Sequence, residues 1–174
     1  MNISLEDLST DELLQLRKNI DTKLALTKTK YYVIYNNCYG GFNISKTIFE
    51  FYQFLYPDKN QTHWKISQSC RWDPTFVLSI AALGCNENDD GEMSYSDLRI
   101  TPYDVAPNEH IEIHEYDGNE WVEIREGILY QKIPERPKDL RKKLDEFAKN
   151  KNLKLDEAQL IKLPVEGPYS TIDH

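Results

Sequence analysis

The chain has 174 residues, 40% of them hydrophobic, 29% charged and 11% aromatic. That length can bury one substantial core, and so aromatic a composition argues against disorder away from the ends. A net charge of −8 argues against a general nucleic-acid surface and against an anionic membrane, because both require a basic face.

Cys38, Cys70 and Cys85 make an odd count with no C-x-x-C pair. A disulfide scaffold and a four-cysteine zinc site are therefore not expected. No apolar run approaches the ~20 residues of a membrane span, and no signal-peptide core opens the chain. The expectation is an intracellular protein in a reducing compartment, with no cofactor and no resident metal.

The first helix starts on a capping box, Ser9 with Glu12, stapled by Leu8 and Leu13. Leu13, Leu16, Ile20 and Leu24 follow at helical spacing as a narrow stripe. Such a stripe either packs on its own domain or pairs with a partner helix. Residues 28–36 read as a strand, and the apolar and aromatic residues Tyr31–Tyr35 predict an interior one buried on both faces. A second helix begins after the cap Ser45, with Ile48, Phe51, Tyr52 and Leu55 as its core face. A third begins at Asp73-Pro74 and stops at Gly84.

Leu98–Thr101 reads as a short strand cut by Pro102. The runs 109–116 and 120–125 flank Asp117-Gly118-Asn119 and predict a hairpin. Ile111 and Ile113 face one side of it; His110, Glu112 and His114 face the other. After Pro134 and Pro137 the chain turns helical and charged, with Leu140, Leu144 and Phe147 as a stripe, a short helix within 153–163, and a tail that frays or docks. The pattern predicts a single α+β domain: a small mixed or antiparallel sheet packed by helices. Residues 1–27 form an N-terminal amphipathic helix, 28–133 the core, and 134–174 a C-terminal helical extension.

Between the first strand and the second helix lies Cys38-Tyr39-Gly40-Gly41-Phe42. A Gly pair there makes either a tight strand-to-helix turn or a cradle of bare amides for an anion or nucleotide. The second reading takes Tyr39, Gly40, Gly41, Phe42, Ser45 and Lys46 as the ligand site. No P-loop or dinucleotide fingerprint supports it. Cys38 is either a buried thiol or, if a histidine folds beside it, a nucleophile. Residues 86–97 place Asn86, Asn88, Asp90, Gly91, Ser94 and Asp97 in the order of a calcium loop, but also read as a solvated acidic turn. His110, Glu112 and His114 alternate as zinc ligands would, or as a wet polar face does.

Residues 33–45, Asp73-Pro74-Thr75-Phe76-Val77 with Leu83-Gly84, and Glu115-Tyr116-Asp117-Gly118-Asn119-Glu120-Trp121-Val122 carry one further signal. Over about 30–126 they resemble a family of short phage and giant-virus proteins to which no activity is attached. The resemblance implies a viral origin and brings no catalytic residue. Together with the acidic charge and terminal helices it points to a non-enzymatic interaction module, a virion component or host-directed factor in the host cytoplasm. Its protein partner is a second copy, a virion protein or a host protein. Leu13, Leu16, Ile20, Leu24 and Trp121 are its expected contacts. The alternative is a small-ligand or nucleotide-binding protein using Gly40-Gly41.

Overall fold

A computed structural model describes residues 8–57, 62, 66, 71–84, 97–127, 135–164, 168 and 169, and of residues 24–26 the backbone alone. Within them the elements run α1 (Thr10–Leu26), β1 (Thr29–Asn36), α2 (Lys46–Leu55), α3 (Pro74–Leu83), β2 (Leu98–Val105), β3 (Glu109–Tyr116), β4 (Asn119–Glu126), α4 (Leu140–Lys151) and α5 (Glu157–Leu160). This is a mixed α+β domain with two antiparallel ladders, β1–β2 and β3–β4. No helix among the described residues is long and apolar enough to cross a membrane.

The helices begin where their caps predict. Ser9 Oγ and Glu12 exchange the bonds of a capping box. Ser45 Oγ accepts from Ile48 N at 3.3 Å, and Asp73 accepts from Phe76 N at 3.1 Å with Pro74 in the first turn. α3 is buried over Pro74–Ala82 and apolar on every side, so it is the central helix. α2 and α4 pack on it, with Phe51 and Phe147 in edge contact at 5.2 Å. Leu140, Leu144 and Phe147 share one core with Ile34, Phe51 and Phe76, so the C-terminal helical extension packs into the body. The tail docks as well: Tyr169 is buried and its hydroxyl donates to Trp72 O at 2.7 Å.

The β1–β2 ladder separates that core from a smaller one. Tyr32, Ile34 and Ile100 face the helices, while Tyr31, Val33 and Val105 face Ile111, Ile113, Val122 and Ile124 of the hairpin. Both faces of β1 are covered, as its apolar run predicts. It does not lie between two strands, however: among the described residues β2 is its one strand neighbour. Its other edge is closed by two irregular acceptors. Arg71 O takes Ile34 N at 2.9 Å, and Glu120 Oε2 takes Asn36 N at 2.8 Å. These groups supply the partners that a buried backbone requires.

Pro102 does not cut β2, which continues to Val105. It pairs with Tyr32, in the same phase as Ile100↔Ile34 and Leu98↔Asn36. The amides of Ile34 and Asn36 point away from β2, so this phase is the non-bonded one. Pro102 nitrogen therefore faces off the ladder, where no N–H is required. The hairpin turn is two residues long, not three, because Asn119 already pairs with Tyr116. Asp117 and Gly118, with φ of 51° and 85°, make it.

Candidate functional site

Asn36, fully buried at the end of β1, ties three segments together. Its Nδ2 donates to Cys38 O at 2.7 Å and to Gly118 O at 2.6 Å. Its Oδ1 accepts from Asp97 N at 2.8 Å. The glycine loop, the start of β2 and the hairpin turn thus meet on one amide. Beside it, Glu120 accepts from Asn36 N with one oxygen and from Arg71 Nη2 with the other, at 3.2 Å. The Arg71 guanidinium also lies over the Phe42 ring, 3.0 Å from its centroid. Burial lowers the Arg71 pKa to about 10, against the opposing pull of Glu120. The pair is screened from water, and breaking it would strand a buried charge.

The glycine loop itself packs on the hairpin. A methyl group on Gly118 would lie 2.6 Å from Gly40 N and closer still to Gly41 N. Those amides therefore sit against the Gly118 backbone. Of the other residues in the anion reading, Ser45 is buried and caps its own helix. Phe42 is engaged with Arg71 and with Phe76, at 6.0 Å. Tyr39 and Lys46 are exposed. Cys38 is half-buried, its Sγ 3.3 Å from Asn36 Oδ1 and accepting from Asp97 N at 3.1 Å. Apart from Asp97, the loop read as a calcium site lies outside the described residues.

The outer face of the hairpin gathers a second group. Glu112, His114 and Glu123 bring ligand atoms within 4.8 Å of one another. Glu123 was not foreseen; the two-residue turn sets the register that puts it opposite Glu112. His110 is not part of that group. Its Nδ1 faces Gly127 O and its Nε2 faces Glu112 Oε1, at 3.3 and 3.0 Å. Arg125 already supplies a cation, with Nε 3.1 Å from Glu112 and Nη2 2.7 Å from Glu123. The His110 hydrogen bond first, and Arg125 after it, hold the Glu112 carboxyl below its ordinary range; the bond to Arg125 does the same for Glu123. A metal would have to displace the guanidinium. Trp121, 48% exposed, stacks on His114 at 5.4 Å.

A cleft of about 330 Å³, between the end of α3, β2 and α5, was also not foreseen. It is at the small end for ligand sites. Its charged groups are engaged, Arg99 with Asp97 at 3.1 Å and Asp156 as the cap of α5.

The helix α1 is different from all of these. Every described side chain from Thr10 to Lys23 is exposed. Leu13 is 40% exposed, Leu16 38% and Ile20 47%, with Leu14 more open still. Among the described residues, nothing buries Leu13, Leu16 or Ile20. The side chain of Leu24 lies outside the described residues. Comparison with known proteins finds no match to a protein-family model, to a curated protein or to a solved structure.

Proposed function

We propose that the chain is a non-enzymatic protein-interaction module of viral type, a virion component or host-directed factor acting inside the cell, and that α1 is its docking element. The observation that carries this reading is the exposed row Leu13, Leu16 and Ile20 on a helix that has its own capping box. A helix of this length is marginal in water, and most helical stability comes from packing an apolar face. Among the described residues neither core includes a side chain of α1, which leaves this face open to another polypeptide. Trp121, half exposed on the hairpin, offers a second aromatic contact of the kind enriched at interfaces. The segments that resemble phage and giant-virus proteins support the viral assignment.

The test places a photo-crosslinking amino acid at Leu14, on α1, and separately at Ile161, which is more open still and lies on the body. In extracts of producing cells, position 14 is expected to give polypeptide adducts that disappear when Leu16→Glu is added. Adducts at position 14 no stronger than those at 161, or indifferent to Leu16→Glu, would contradict the reading.

A further inference from the structure

We infer that the partner of α1 is the same helix of a second copy of this chain, lying parallel and in register. This rests on α1 being the docking element. Leu13, Leu16 and Ile20 are spaced three and four apart, the a, d, a line of a heptad. In a parallel pair each layer meets itself, Leu on Leu, Leu on Leu and Ile on Ile, and all three are apolar. An isoleucine at a and a leucine at d suit two strands.

Charge complementarity selects both the occupant and its direction. Glu12 precedes the first a position and Arg17 follows the d position, so they border the stripe on opposite sides, at g and e. A parallel two-fold pair lays the g border of one helix along the e border of the other. Glu12, whose Oε2 stays in the capping box with Ser9, then meets Arg17 of the second copy with its other oxygen, twice by symmetry. The only competing contact recorded for Arg17 among the described residues is a loose one to Asp21, 3.9 Å apart with both largely exposed. An antiparallel pair instead sets Arg17 against Arg17 and lays Lys23 on Leu13. The parallel pair has one like-charge layer, Lys23 at the d position beyond Ile20, where its long stem can carry the ammonium into solvent.

Three apolar layers against the cost of association give a weak dimer, half formed at on the order of 100 µM chain. Light scattering of the full chain is expected to rise with concentration from the 20.4 kDa monomer toward twice that mass. Leu16→Glu should hold the chain at monomer mass with its melting temperature unchanged, since the stripe lies outside the cores. Under mild oxidation, Leu13→Cys should give a disulfide dimer mapped by peptide mass to position 13 on both chains. Monomer mass up to about 1 mM, or a dimer that survives Leu16→Glu, would overturn the inference. So would a dimer in which position 13 fails to cross-link to itself. If the mass stays monomeric while position 14 still gives stripe-dependent adducts to another polypeptide, the homotypic inference falls and the docking reading stands.

Discussion

Gly118→Ala should cost about 4 kcal/mol, near the top of the range for single substitutions. Two effects add. At φ 85° an L-residue in the left-handed region costs ~1 kcal/mol. The new methyl must also enter space held by the Gly40 and Gly41 backbone, which cannot yield by changing a rotamer. Moving that loop strains Asn36, whose amide bonds both Cys38 O and Gly118 O. For a chain of this size the melting temperature should fall by on the order of 10 °C. Gly41→Ala is the control. Its φ is 82°, but a methyl there meets nothing within 4 Å, so it should lose only ~1 kcal/mol. Equal losses at the two positions in thermal or urea unfolding would refute the contact between the two glycine turns.

Phe147→Ala should cost about 3–5 kcal/mol, as deletion of a buried aromatic ring does. The ring is 3% exposed and touches Phe51 at 5.2 Å and Phe54 at 5.8 Å. It lies in α4, yet its loss opens a void against Phe51 and Phe54 of α2, far earlier in the chain. The unfolding transition should stay single and cooperative while its midpoint drops. A separate early transition, with the rest of the protein melting at its normal temperature, would show that residues after 134 fold as an appendage.

The sequence shows an element plainly where the physics that makes it is local. Caps at Ser9, Ser45 and Asp73 satisfy orphan amides within one turn, so they show in four residues. The Asp-Gly turn and the stripe Leu140, Leu144, Phe147 are of the same kind. What escaped depends on contacts far apart in the chain. Nothing near Gly40 announces Gly118, and nothing near Ile34 announces that Arg71 O will close the strand edge. Pro102 reads as a break in the sequence because its tolerance depends on which edge of β2 its nitrogen faces, which the register with β1 decides. Glu123 joined Glu112 and His114 for a similar reason: cross-strand register, not sequence spacing, made them neighbours.

The stripe of α1 shows the limit most plainly. Leu13, Leu16 and Ile20 have the same spacing whether a helix covers its own domain or a partner's. Only the placement of α1 away from the cores separates the two. Hydrogen exchange along 10–23 in the full chain, followed as concentration rises, tests this most directly. Fast exchange is expected in dilute solution and growing protection as the chain is concentrated, with α3 unchanged throughout. Protection of α1 that is already full in dilute solution and indifferent to concentration would mean that the helix packs on its own body, and would contradict it.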